Sequence, residues 1–390
     1  MKLDNSPACS GMVHLLRMMV AKEWFHWYTM YSKHEEGLSM RVKAYAAKNA
    51  KSKMVLYEFD RREPTEHDVE FKVLYCGICY SDIHTIHSDW GPTKYPSVPG
   101  HEIVGVVTRV GDKVTRFKVG DKVGVGCLVN SCGKCASCKE GLQQYCENGS
   151  TGTYNGIDPI DGEVTKGGYS TYEVVQENFV MAIPEGLDLP HAAPLLCAGI
   201  TTYSPLRHWK VGSGMKVGII GLGGLGHMGV KFAHAMGAEV YLVTTSPEKA
   251  EKAKEYGAKG VVVSTDEEDM KKYAGFFDVM INTVPVGHDV QPYIDLLARD
   301  GVVVLVGPVS PMEGFHGASL IGKRRSIAGS VIGGIPETEE MLTFSADNDI
   351  VPEIDIIPIE EVNEAHEAMM NKSMSHRYVI DLEASFKIKG

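Results

Sequence analysis

At 390 residues, 44% of them hydrophobic and 23% charged, the chain is long enough for about two domains, each with a sizeable core. A formal charge of -11, with basic residues interspersed rather than blocked, removes the general electrostatic argument for a nucleic-acid partner. No stretch approaches the roughly 18 apolar residues that a membrane span requires.

Residues 1–39 read apart from the rest. Met12–Tyr31 is helix-like and dense in Met, His and aromatic side chains, interrupted by Arg17 and Lys22-Glu23. It suits a membrane-surface or targeting helix, or a surface-packed or disordered extension ahead of the regular sequence that opens at Met40. The extension is the expectation. From Arg41 to Gly126, β-branched runs such as Val69–Tyr75 and Glu102–Val110 alternate with turns such as Gly111-Asp112 and Gly120-Asp121. That pattern predicts a partly closed antiparallel barrel rather than βαβ units. Residues 127–149 form a cysteine-rich lobe, Tyr169–Gln176 and Phe179–Ile183 read as returning strands, and Pro190–Leu206 as a helix-bearing junction.

The texture then changes. Val217–Ile220, Glu239–Thr244, Gly260–Val263, Val279–Thr283 and Val302–Val306 are short β-branched runs. Helical patterns such as Pro247–Tyr256 and Gln291–Leu297 separate several of them, the mark of a doubly wound parallel sheet. Glu339–Asp347, Val362–Met370 and a last strand, Arg377–Leu382, return the chain to the first domain. The expected division is residues 40–197 with 338–390 as one domain and 198–337 as the other.

Cys132, Cys135, Cys138 and Cys146 are the most specific local signal, with spacings of two, two and seven residues between them. Four thiolates on one loop suit tetrahedral zinc, with an iron–sulfur cluster as the competitor. A closed all-thiolate site is structural. Cysteines in this arrangement point to metal ligation in a reducing compartment rather than to disulfides, and a cytoplasmic location is the expectation.

Between the strand Val217–Ile220 and the helix His227–Met236 lies Gly221-Leu222-Gly223-Gly224-Leu225-Gly226. Gly221, Gly223 and Gly226 keep the spacing of a dinucleotide-binding turn, in which helix-terminal N–H groups meet a pyrophosphate. At the end of the next strand, Thr244, Thr245, Ser246 and Lys249 stand where an NAD site usually places a carboxylate. Three hydroxyls and a lysine accommodate a 2′-phosphate, so NADP(H) is favoured. Glu248 could oppose this, and Lys249 could instead be an ordinary solvated helix lysine.

Three separated pieces carry further metal-ligand types: Cys79-Tyr80-Ser81-Asp82-Ile83-His84, Gly100-His101-Glu102, and Cys197. Two thiolates and one imidazole with an open fourth position can hold a catalytic zinc. Each also has a plainer reading, the cysteines as small core residues and His101 as a hydrogen-bonded core histidine.

On these residues the chain resembles the zinc-dependent medium-chain alcohol dehydrogenases, within them the cinnamyl alcohol dehydrogenase-like branch, from Met40 to about Leu382. The resemblance is carried by Cys76-Gly77-Ile78-Cys79, Pro99-Gly100-His101-Glu102 and Val119-Gly120-Asp121-Lys122-Val123. It continues through the four-cysteine lobe, Cys197-Ala198-Gly199-Ile200-Thr201, Gly221–Gly226 and Gly329-Ser330-Val331-Ile332-Gly333-Gly334. It implies an α/β fold with a GroES-like catalytic domain and a Rossmann NADP-binding domain, and two Zn2+ per chain. It implies that Cys79, His101 and Cys197 bind catalytic zinc, with Glu102 as an adjacent or exchanging ligand. Ser81 would start a proton relay, Asp82 would orient the liganding histidine and His84 would pass the proton outward. Thr201 and Ser330 would touch the cofactor. Tyr80 departs from the family, many members of which have histidine there, near the cofactor phosphate.

The implied activity is interconversion of primary alcohols and aldehydes, aromatic or medium-chain aliphatic, by hydride transfer. Trp90, Tyr95, Leu128, Trp209 and Phe315 could line the substrate pocket or be ordinary core. A homodimer through the nucleotide domains is expected, with the Ile327–Ile335 region supplying an edge, whereas Arg324-Arg325 read as surface or interface charge. The alternatives are an NAD-preferring dehydrogenase of short alcohols, a zinc hydrolase, and an NADP-sensing or scaffold protein on the same fold. The hydrolase leaves the nucleotide domain unexplained. A sensor would be expected to have lost its zinc set or relay.

Overall fold

A computed structural model of the chain describes residues 40–307, 310–371 and 376–386. The helix-like segment expected at Met12–Tyr31 lies outside them. Among the described residues, Val42–Phe59 and those from Pro64 onward group by contact into one compact unit, which holds both large sheets.

The described chain begins with a two-stranded sheet, β1 (Met40–Ala47) and β2 (Met54–Arg61). Next come β3 (Asp68–Gly77), β4 (Ile103–Val110), β5 (Lys122–Val125), β6 (Leu128–Asn130), β7 (Thr151–Gly152), β8 (Tyr172–Gln176) and β9 (Met181–Ala182). The nucleotide-type half contributes β10 (Lys216–Ile220), β11 (Glu239–Thr244), β12 (Gly260–Val263), β13 (Phe277–Asn282), β14 (Leu297–Leu305) and β15 (Ser326–Gly329). The chain finishes with β16 (Ile354–Pro358) and β17 (Arg377–Asp381).

The first large sheet has the order β16-β17-β3-β4-β5-β9, with β8 also paired to β3. Long β3 sits at its centre. β8 takes Asp68–Lys72 and β17 takes Tyr75–Gly77 along one edge, while β4 takes the other. Its Val69, Phe71 and Val73 are buried. The sheet is mixed rather than purely antiparallel, because β16 and β17 are parallel. A parallel pair requires a crossover, and the helix Val362–Met370 between them supplies it.

The second sheet is wholly parallel, in the order β12-β11-β10-β13-β14-β15. Strands covered on both faces must be apolar throughout, and Val217, Ile219, Val240, Leu242, Val243, Met280, Ile281, Val303 and Val304 are fully buried. The helix Gly226–Ala235 buries Met228, Val230, Phe232 and Ala233. Strand order reverses at β10, which lies between β11 and β13. The carboxyl end of β10 is therefore the switch point where open α/β sheets bind ligands. Arg324 is exposed as expected for surface charge. Arg325 is not: its side chain is buried and donates to the carbonyls of Leu297, Ser319 and Asp295.

Candidate active site

Three distant segments converge on one buried cluster. Cys79 follows β3 and caps the helix Tyr80–His87; its N–H donates to Asp82 Oδ2 at 2.9 Å. His101 and Glu102 stand immediately before β4, and Cys197 lies in a widened π turn, Leu195–Gly199, of a kind frequent at functional sites. Cys79 Sγ and Cys197 Sγ are 3.9 Å apart, and His101 Nε2 is 3.2 Å from Cys197 Sγ. One ligand atom from each of Cys79, His101, Glu102 and Cys197 lies within 4.8 Å of all the others, and all four residues are buried.

Two sulfurs, a nitrogen and a carboxylate at that spacing match zinc in size and chemistry. Glu102 Oε2 is buried without a hydrogen-bond partner, as fits a group with an ion in reach. Protons divide unevenly over the donors. A hydrogen bond with Cys197 holds the Cys79 thiol well below its ordinary value, whereas bonds with Cys127 and Cys79 push Cys197 well above. Burial opposes a charged His101, yet the Asp82 carboxylate raises its imidazole well above the usual value. Burial pushes the Glu102 carboxyl well up against the pull of Arg377.

Asp82 is fully buried and fully occupied. Its carboxylate faces His101 Nδ1 at 3.0 Å and accepts from the N–H groups of Cys79 and Gly100 and from Tyr169 Oη. That leaves His101 Nε2 turned toward Cys197, with the Tyr154 ring packed beside the imidazole at 5.6 Å. Ser81 Oγ lies 3.5 Å from Cys79 Sγ. Further out, His84 Nδ1 pairs with Asp89 Oδ2 at 2.8 Å, and its ring stacks on Trp90 at 4.8 Å. Tyr80 turns its hydroxyl to the carbonyl of Met369, tying the helix after Cys79 to the crossover helix.

Of the pocket candidates, Trp90 stands beside this chain of groups, Tyr95 donates to the carbonyl of Ile86, and Leu128 is buried. Trp209 packs on its neighbour His208, and Phe315 is exposed. Neither is joined to the cluster by a contact among the described residues.

The glycine turn is built as its spacing predicts. Gly221 leaves β10 with φ +88, a conformation strained for any side chain, and donates to the carbonyl of Val243 at 2.9 Å. A Cβ on Gly226 would lie 2.0 Å from the Gly221 oxygen, so the helix could not begin so close to the strand. One on Gly223 would meet nothing within 4 Å, so this face of the turn is open to a dinucleotide. Thr283 Oγ1 donates to the Ile220 carbonyl at 2.8 Å and pins the end of β10. At the end of β11, Thr244 is buried, Thr245 is exposed and no carboxylate intervenes before Pro247. Glu248 falls in the helical turn Pro247–Lys249, and Lys249 Nζ reaches back to the Leu222 carbonyl at 3.2 Å. Thr201 is buried in the first turn of Ile200–His208, and Ser330 follows β15, its N–H on the Leu305 carbonyl.

One residue that sequence reasoning missed joins the two halves. Arg377, at the start of β17, pairs with Glu102 Oε1 in a nearly dry site. Its Cδ lies 2.7 Å from where a Cβ on Gly224 would be. The guanidinium thus sits between the metal-type cluster and the glycine turn.

The four-cysteine lobe closes on itself. Sγ atoms of Cys132 and Cys138 are 3.9 Å apart, those of Cys135 and Cys146 are 4.0 Å apart, and none is in a disulfide. The N–H groups of Cys132 and Cys138 point at Cys146 Sγ and Cys135 Sγ. A hydrogen bond with Asn148 lowers the Cys132 thiol to about 5. Four sulfurs so grouped fit a structural zinc.

Comparison with known proteins bears on both halves. Residues 65–185 match the alcohol dehydrogenase GroES-like domain, and residues 224–347 match the zinc-binding dehydrogenase family. The chain is 52% identical to NADP-dependent alcohol dehydrogenase C 1 of Mycolicibacterium smegmatis, over 87% of this chain and 97% of that protein. It is 50% identical to the aldehyde reductase YahK of Escherichia coli, over 88% and 98%. Among solved structures, a cinnamyl alcohol dehydrogenase of Sorghum bicolor superposes with TM-score 0.86 at 41% identity, covering 90% of this chain and all of that one. The Helicobacter pylori enzyme complexed with NADP(H) gives 0.84 at 41% identity, with the same coverage. No helix among the described residues is long and apolar enough to cross a membrane.

Proposed function

Because the chain belongs to the zinc-dependent medium-chain dehydrogenase family, close to the cinnamyl alcohol dehydrogenases, we propose that it reduces aldehydes with NADPH and oxidises the matching primary alcohols with NADP+. The carrying observation is the buried Cys79, His101, Glu102 and Cys197 set, joined through Arg377 to an open glycine turn. When bound, zinc polarises the substrate oxygen as a Lewis acid and NADP(H) carries the hydride.

The protein's own groups do the rest. Cys79, His101 and Cys197 would hold the metal, with Glu102 beside them as an adjacent or exchanging ligand. Asp82 keeps His101 aimed. Ser81 exchanges the hydroxyl proton with the substrate oxygen, and His84, paired with Asp89, takes it toward solvent. The turn Gly221–Gly226 holds the pyrophosphate, with Thr201 and Ser330 as further contacts. Thr244, Thr245, Ser246 and Lys249 receive the 2′-phosphate; the support is a strand end without a carboxylate and a lysine already folded over the turn.

Trp90 beside His84 favours aromatic or medium-chain aliphatic substrates. We divide the chain into residues 40–197 with 338–390 and residues 198–337; the support is that each part carries one of the two large sheets. A homodimer through β15 is supported by its position at the sheet edge, with Ile321 84% and Val331 50% exposed nearby. A cytoplasmic location fits the reduced cysteine set. Rates with cinnamaldehyde, benzaldehyde and acetaldehyde, each with NADPH and NADH, test the reading. Preference for NADPH and cinnamaldehyde supports it; preference for NADH and acetaldehyde replaces it with an NAD-dependent short-chain dehydrogenase.

A further inference from the structure

The four-cysteine lobe touches more than itself. Between its third and fourth thiolates runs the single turn Gln143–Tyr145, and both ends of that turn reach the segment after β15. Tyr145 Oη accepts from the N–H of Val331 at 3.2 Å, and Gln143 Oε1 accepts from the N–H of Ile335 at 3.0 Å. The two backbones are in direct contact. A Cβ on Gly334 would lie 1.7 Å from the Gly141 oxygen, and one on Gly141 would lie 3.1 Å from Pro336 Cγ.

The segment held this way carries an unusual conformation. Ile332 has φ +40, which a β-branched residue adopts only when its surroundings compel it. The bond to Tyr145 falls one residue before it and the bond to Gln143 three residues after. Ser330 lies two residues before it. Ile335 opens the helix Ile335–Asp347, so Gln143 caps one of that helix's free N–H groups.

We propose that the metal lobe is a clamp on the cofactor site: Gln143 and Tyr145 are positioning residues that set the Ser330–Gly334 segment, so filling the structural metal site tightens NADP(H) binding. The idea rests on the proposed cofactor role of Ser330. An ion held by Cys138 and Cys146 fixes the turn between them, and the turn fixes the segment. Losing the ion would release the Ile332 conformation without touching a catalytic ligand.

The test uses the full-length zinc-loaded protein and three variants: Tyr145→Phe, Gln143→Ala and Gln143→Glu. Tyr145 is 44% exposed, so removing its hydroxyl should leave the fold intact. NADPH affinity is read by nicotinamide fluorescence, zinc content by atomic absorption, and amide exchange at residues 330–335 by mass spectrometry without cofactor. Tyr145→Phe and Gln143→Ala should each weaken NADPH binding about threefold to tenfold, the scale of one hydrogen bond, and speed that exchange. Zinc should stay at two per chain. Gln143→Glu keeps the accepting oxygen at a helix N-terminus and should restore both readings. Wild-type affinity and exchange in Tyr145→Phe and Gln143→Ala would overturn the clamp. Faster exchange with unchanged affinity would also overturn its link to the cofactor. A wild-type protein that binds neither NADPH nor NADH would instead refute the underlying reading of the fold's function.

Discussion

Arg377 and Glu102 are 275 residues apart in sequence and form a buried ion pair, the guanidinium 3% and the carboxylate 0% exposed. Burying both charges is tolerable only while they face each other. Arg377→Met should therefore destabilise the protein by about 3–5 kcal/mol, the usual effect of stranding one charge. The double variant Arg377→Met with Glu102→Gln should recover at least half of that. Urea midpoints of the four proteins give the cycle, and additive losses would mean the pair is not coupled.

Two glycines of the same turn should behave oppositely. Gly226→Ala drives a Cβ to 2.0 Å from a backbone oxygen that cannot move away, so both folding and cofactor binding should fail. Gly223→Ala places its methyl in open space. It should leave the melting temperature within a few degrees of wild type and still weaken NADPH binding, because the space is where the dinucleotide belongs. Unchanged NADPH affinity in Gly223→Ala would move the cofactor elsewhere.

The strand end after Thr244 should set cofactor choice. Lys249→Ala should raise KM for NADPH by about tenfold, on the scale of a charge-assisted hydrogen bond, and change KM for NADH little. Ser246→Asp should go further, repelling the 2′-phosphate while offering a carboxylate to the ribose hydroxyls of NAD. Steady-state kinetics with both cofactors decides. Equal effects on NADPH and NADH would show that Lys249 supports the Leu222 carbonyl and nothing more.

Acid should weaken the fold through two buried histidines. Burial holds the His227 imidazole at about 3 and that of His366 at about 4. Both folded values lie below the ordinary ~6.5, so the unfolded chain takes up protons that the native state refuses. The stability they contribute is present above pH 6.5 and falls as pH drops toward those folded values. His227→Asn keeps a donor for the Gly223 carbonyl that Nδ1 now serves at 3.1 Å. Between pH 6 and 5 the variant should lose stability less steeply by about 1.4 kcal/mol per pH unit, one proton's worth. Urea titrations across that range measure the slope; parallel slopes would show His227 already charged or exposed.

Local chemistry was readable from sequence and long-range chemistry was not. The cysteine lobe, the glycine turn and the alternation of β-branched runs each occupy a short window, and their elements match the observed ones closely. Val362–Met370 is helical over that span, and the strand read at Val217–Ile220 starts one residue earlier. Cys79, His101 and Cys197 were separable from ordinary core only as a set, since nothing local shows that they converge. Arg377 had no local signal: a single arginine opening a strand reads as surface charge until Glu102 is found beside it. Gln143 and Tyr145 read as loop residues, and only their contacts with Val331 and Ile335 distinguish them. Arg325 lacks a local signal for the same reason, because the carbonyls it holds come from Asp295 and Leu297 in one segment and Ser319 in another.

Hydride transfer itself can be followed by isotope. The protein, loaded with zinc, is given cinnamaldehyde and NADPH carrying deuterium on one face of nicotinamide C4, then the other, and the cinnamyl alcohol is examined by mass spectrometry. One face should deliver a single deuterium to the carbinol carbon and the other none. Alcohol unlabelled from both faces, or no alcohol formed by protein carrying two zinc ions per chain, would contradict the assignment.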